Sequence, residues 1–185
     1  MAGAFGAEIT VNGLNERTKQ SGVLMLNPLR RMGAHFTDIP GGVVASIGSD
    51  GLHAASVSAS ECPEMLPAIM AAASVADGVT VISDIDSLDT PCYEAVINMK
   101  SELVKLGGEI VIRDGNISVK GKRRIRGGAR VTGNGDLVST MSLLAIAVVC
   151  EKALILNEFD EITEKYPGFA DEYKQLGGCV GSFGR

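Results

Sequence analysis

PEMLPAIMAAASVADGVTVI, residues Pro63–Ile82, is the most informative stretch of the chain. Its first part reads as a helix over Met65–Ala76 that is apolar almost all round, with Leu66, Ile69, Met70 and Val75 spaced by small residues. A helix without a polar face belongs in an interior, and this one is too short to cross a bilayer. From Val79 the residues VTVIS read as a β-strand. A second helix of the same apolar kind is expected at Met141–Cys150. Two buried helices among strands call for sheets that wrap around them, with their outer faces in water.

The rest of the chain repeats that plan. Glu8–Gly33 (EITVNGL to RRMG), Val79–Gly108 (VTVISDI to KLGG) and Ala153–Gly178 (ALILNEF to QLGG) each read as strand, polar loop and amphipathic helix closed by glycine. The closing glycines Gly33, Gly107 and Gly177 lie 74 and 70 residues apart, a period of repeated supersecondary blocks. Moving Gly42–Asp77 forward by 73 residues lays Gly42 on Gly115, Gly48 on Gly121 and Leu52 on Ile125. Each of these intervening stretches reads as two short strands joined by a glycine turn, then a buried helix. The unit is therefore β-α-β-β-α, with boundaries near 8–77, 79–151 and 153–185 in a single domain over 1–185. The fold class is α/β (α+β).

In the helix expected at Pro91–Leu106, Val96, Met99, Leu103 and Leu106 form one stripe, and Lys100, Glu102 and Lys105 lie opposite. Pro91, and Pro167 in a helix expected at Pro167–Leu176, stand where a first helical residue tolerates proline. Pro28 falls inside the first unit's helix and should shorten or kink it. The third unit stops after its first helix, short of two strands and a buried helix. An open sheet edge is a liability, so the chain is expected to be a fragment, to pair with another chain, or to rearrange that edge.

Composition narrows the class. Of 185 residues, 45% are hydrophobic and 21% charged, which suits a folded domain and not a disordered one. No membrane span or signal peptide is evident. Cys62, Cys92, Cys150 and Cys179 form no CxxC pair, and read as reduced thiols of a cytoplasmic protein. With only His35 and His53 present, neither a metal site nor a cofactor is expected. The Gly/Asn turns GNGD and GLNERT lack the Gly-Lys-Ser/Thr ending of a P-loop. Charge is uneven. Six of 17 basic residues (Lys120, Lys122, Arg123, Arg124, Arg126 and Arg130) occur in KGKRRIRGGAR, leaving 11 basic against 22 acidic elsewhere. The stretch reads as a basic hairpin, a candidate polyanion site, although it lacks an aromatic for base stacking, which disfavours nucleic acid.

Four strings in register resemble the enolpyruvyl transferase family: ITVNGLNERTKQSGVLMLNPLRRMGA (Ile9–Ala34), Pro63–Ile82, GNGDLVSTMSLLAIAV (Gly133–Val148) and EKYPGFADEYKQLG (Glu164–Gly177). The resemblance covers almost the whole chain and corresponds to one of that family's two domains. It implies an inverse barrel of such units around central helices, with the third unit truncated here. It also implies transfer of the enolpyruvyl group of phosphoenolpyruvate to shikimate 3-phosphate, a step of aromatic amino-acid biosynthesis, in a cleft completed by a second such domain or chain. RNA 3′-phosphate cyclases share a broadly similar topology, but their glycine-rich signature and nucleophilic His are not found.

The family's charged residues are largely replaced. Its catalytic Asp falls on Glu64, a carboxylate able to serve as acid or base. Its Arg-x-Lys-Glu-Ser/Thr-Asp-Arg string falls on DTPCYEA, with Asp89, Pro91, Cys92 and Ala95 in place of Arg, Lys, Glu and Arg. Gly135 and Asp136 match its Gly-Asp-His-Arg, so Asp136 is a candidate substrate-binding residue, while Leu137 and Val138 replace His and Arg. Glu164 stands for its near-terminal Lys, and Lys165 could serve only through a slip of register. Each lost cation removes a contact of about 1.5–3 kcal/mol. Most anion-binding and catalytic positions being substituted, the chain is expected to be inactive alone. The alternative is a non-catalytic module using residues 120–130 to bind nucleic acid or an acidic partner. Cys92 at a helix start could be an activated thiol, but Asp89 and Glu94 oppose that.

Overall fold

The computed structural model describes residues 8–14 and 21–181. Strand β1 (Ile9–Asn12) is followed by two short helices, α1 (Ser21–Leu24) and α2 (Leu26–Arg31). Pro28 is the third residue of α2, where an N–H has no helical partner to lose, and the break at Met25 is the shortening expected of it. Strands β2 (Ala34–Ile39) and β3 (Gly42–Ile47) form a hairpin, and β1 adds antiparallel to β3 on its other side. A further short strand, β4 (Ser56–Ser58), leads through two 3-10 turns into α3 (Leu66–Ala73).

The second unit repeats this with β5 (Val79–Ser83), α4 (Thr90–Lys105), β6 (Glu109–Arg113) and β7 (Asn116–Lys120), then β8 (Ile125–Gly127), β9 (Arg130–Val131) and α5 (Leu137–Ala147). The third contributes β10 (Cys150–Lys152), β11 (Ile155–Leu156), α6 (Phe159–Lys165) and α7 (Phe169–Gln175). The chain thus carries one more short strand before α3, and two more before α5, than the sequence suggested. These strands pair with the next unit's: β4 runs parallel with β5, β8 with β10 and β9 with β11. Parallel neighbours need a crossover, and α3 and α5 are those crossovers.

The two apolar helices pack on each other and both touch α4. Leu66, Ile69 and Met70 of α3, Leu143 and Ile146 of α5, and the α4 stripe Val96, Met99, Leu103 are all buried. The four-stranded sheet, in the order β4-β5-β7-β6, turns Ile82, Ile117 and Val119 inward and leaves Val79 and Val111 exposed. Helices inside and sheets outside is the arrangement the residue pattern demanded.

Several expectations need correction. The helix placed at Met65–Ala76 is shorter, because Pro63–Met65 forms a 3-10 turn first. The one placed at Met141–Cys150 starts a turn earlier, since the Asp136 side chain caps the Ser139 N–H, and Cys150 opens a strand. Pro167 does not begin a helix; it joins α6 to α7, which starts after Gly168 in the left-handed region at φ 90°. Glu102 is buried instead of lying on a solvated side of α4. Lys120–Arg130 is no hairpin. It leaves β7 and supplies β8 and β9, which pair with strands of the third unit. Gly121 in this stretch cannot carry a Cβ, which would collide with the backbone carbonyl of Ala76.

Candidate functional site

The starts of α3, α4 and α5 lie on one side of the molecule, and each is furnished with a carboxylate. Asp89 precedes α4 and its Oδ1 accepts from the Cys92 N–H at 3.0 Å. Asp136 precedes α5, its Oδ2 accepting from the Ser139 N–H at 2.7 Å and from Ser139 Oγ at 2.6 Å. Glu64 lies exposed in the 3-10 turn before α3. Behind it, Glu61 Oε1 accepts from the Ser58 N–H at 2.8 Å and pairs with Arg31 at 2.9 Å. Burial pushes the Glu61 carboxyl up, but the Ser58 amide and Arg31 outweigh it and hold it below its ordinary value. Acids at helix starts satisfy orphan amides and complement the helix dipoles.

Cys92 reports how close these starts are. Its thiol is pushed up to about 11, first by partial burial, then by the hydrogen bond and charge of Asp89, and further by the charges of Glu64 and Asp136. Asp89 is correspondingly held below its usual range by accepting from the Cys92 side chain and amide. Burial first, and the surrounding carboxylates after it, disfavour the Cys92 thiolate, against an activated-nucleophile role. Glu64 and Asp136, proposed from sequence as acid/base and substrate contact, are thus brought to one place. Lys165 is exposed in the last turn of α6, with no hydrogen bond or ion pair among the described residues, and it is not among the charges that act on Cys92.

The basic stretch lies at the other end of α3. The Lys122 N–H donates to the Ser74 carbonyl, at the helix C-terminus, at 2.9 Å. Lys120 and Lys122 both pair with Glu109, at 3.2 and 3.0 Å, which lowers the Glu109 carboxyl, and Lys122 also donates to the Gly107 carbonyl. Arg130 donates to Asn157 at 2.9 Å. Arg123, Arg124 and Arg126 are exposed and form no ion pair among the described residues. Arg123 and Arg124 border an open hollow of about 190 Å³ that Asp50 and Asp77 also line, which tempers its positive character. Cations at a helix end, like acids at its start, are favoured by the dipole.

Two further carboxylates, neither a site candidate from sequence, organise the loop before α5. Glu158 binds the loop before α5, accepting from the Gly133 N–H at 2.6 Å, the Asn134 N–H at 3.1 Å and Thr132 Oγ1. Buried Glu102 takes Lys105 Nζ on both oxygens at 2.7 Å and the Thr132 N–H at 3.3 Å. The only sequence trace of the latter is its place beside Leu103, next to the α4 stripe. Glu158 has none, because its partners lie 24 to 26 residues away.

Among the described residues no helix is long and apolar enough to cross a membrane. The chain resembles a 3-phosphoshikimate 1-carboxyvinyltransferase of Clostridium botulinum, at 30% identity over 96% of this chain and 41% of the relative. One of Clostridium perfringens (strain 13) is 31% identical over 97% of this chain and 42% of the relative. Among solved structures, an EPSP synthase from Acinetobacter baumannii superposes with a TM-score of 0.76 at 22% identity, covering 95% of this chain and 43% of that one. The enolpyruvyl transferase NikO from Streptomyces tendae gives 0.73 at 20% identity, over 96% and 41%. Those two establish the inverse-barrel type of fold and nothing about chemistry. The chain spans about 41% of the length of the curated relatives it matches. The family model of EPSP synthase (3-phosphoshikimate 1-carboxyvinyltransferase) matches residues 1–173, and with that extent of agreement the chain belongs to the EPSP synthase family.

Proposed function

We propose that this chain forms one wall of an enolpyruvyl transferase-type cleft, completed by a second domain or chain, and that alone it does not grip phosphoenolpyruvate or shikimate 3-phosphate. The observation that carries this is the carboxylate at each helix start, Glu64 before α3, Asp89 before α4 and Asp136 before α5, all three of whose charges act on Cys92. Helix starts attract anions through their amides and dipoles, but here Asp89 and Asp136 cap the starts of α4 and α5, and Glu64 sets a further charge just before α3. A substrate bearing phosphate and carboxylate groups would meet like charge. In the completed cleft, Glu64 keeps the acid/base role by its position, and Asp136 holds the start of α5. Calorimetric titration of the chain with each of the two substrates is the test. No heat beyond dilution is expected, and submillimolar binding of either ligand would overturn the proposal.

A second reading is favoured by Arg123, Arg124 and Arg126, exposed and without ion pairs among the described residues. In it the fold is a non-catalytic module and the connection 120–130 meets nucleic acid or an acidic protein surface. Electrophoretic mobility shift at low salt, with parent and an Arg123→Glu/Arg124→Glu/Arg126→Glu variant, addresses the nucleic-acid form. If no RNA or DNA is retarded, or the variant retards it equally, that form is dead.

A further inference from the structure

Three successive backbone N–H groups after β9 point at carboxylates. That of Thr132 goes to Glu102, and those of Gly133 and Asn134 go to the two oxygens of Glu158, which also accepts from Thr132 Oγ1. Immediately after these amides Asn134 at φ 54° and Gly135 at φ 77° are in the left-handed region, which turns the chain toward Asp136 and the start of α5. Glu158 has no ion pair among the described residues, so amide and hydroxyl dipoles alone hold its charge. A carboxylate held this way occupies the position of a bound anion.

We infer that residues 132–134 form a small-oxyanion nest whose occupant is the Glu158 carboxylate. Glu158 is then a latch, fastening the segment between β11 and α6 to the loop that starts α5. Glu102, fixed by Lys105, holds the first amide of the loop in line. Removing the Glu158 side chain leaves the donors in place and the nest empty, open to a free carboxylate or phosphate.

Thermal unfolding of the full chain and its Glu158→Ala variant, in formate, inorganic phosphate or chloride at matched ionic strength, tests this. The variant should melt about 4–8 °C lower in chloride and regain at least half of that loss in formate or phosphate. The parent should respond alike to all three. Formate acting alone would mark a carboxylate nest, and phosphate also acting a general oxyanion nest. Saturable shifts of the Gly133 and Asn134 amide resonances in the variant should accompany the recovery. Equal responses of parent and variant to the three anions would overturn the inference. Should Glu158→Ala fail to fold, Glu158→Gln serves. It keeps an acceptor but no charge, and Gly133 and Asn134 amides that shift and exchange no differently from the parent's would equally overturn it.

Discussion

The Cys92 thiol sits in the first turn of α4, where amide dipoles alone would favour its thiolate. Partial burial and the charges of Asp89, Glu64 and Asp136 win instead, and the thiol is held at about 11. Alkylation by iodoacetamide, followed against pH by peptide mass spectrometry, should show Cys92 nearly inert at neutral pH. Its rate should rise with a midpoint near 11. In an Asp89→Asn variant that midpoint should fall toward the ordinary thiol range, because the hydrogen-bonded charge is gone. A midpoint unmoved by the substitution would show that the carboxylates do not act together at this site. At this scale the sequence was informative in part. Glu64 and Asp136 were legible through the family strings they align with, and Asp89 and Asp136 stand where capping acids precede helices. Their convergence on Cys92 was not, since it depends on how three separate helices pack.

The helices α3 and α5 were legible as elements because they lack a polar face, and Ile69, central in α3, is fully buried. Ile69→Ala should cost about 2–5 kcal/mol of unfolding free energy. Val111→Ala, on the outer face of β6 where Val111 is 60% exposed, should change it by no more than about 0.5 kcal/mol. Urea unfolding of the two variants measures the contrast, and equal losses would contradict a core centred on the helices. What could not be read from sequence was β4, β8 and β9. Strands of two or three residues carry too little alternation to register. Their pairing is with the following unit, so the basic stretch looked like a hairpin when its partners lay beyond α5.

At the scale of the molecule, Cys62, Cys92 and Cys150 are each pushed up to about 11, with burial the leading cause in every case. An unfolded thiol ionises near the ordinary 9.0. Between those values the folded chain therefore binds more protons than the unfolded one, and stability falls as pH rises. Unfolding free energy from urea titrations under reducing conditions should be flat below about 9 and decline toward 11. A Cys62→Ala/Cys92→Ala/Cys150→Ala variant should be less stable at neutral pH but lose much of that slope. Tyr173, raised first by burial, sustains a remainder above 10. A parent with no alkaline slope would refute the burial of these thiols.

The net charge of −5 gives a poor picture of what another surface would encounter. Acids gather where α3 begins, and arginines without an ion pair among the described residues gather where it ends, so the chain is bipolar along that axis. A cationic surface would meet it by one pole and an anionic surface by the other. That choice of pose is made only within a Debye length, about 8 Å at physiological salt, and dissolves as salt is added.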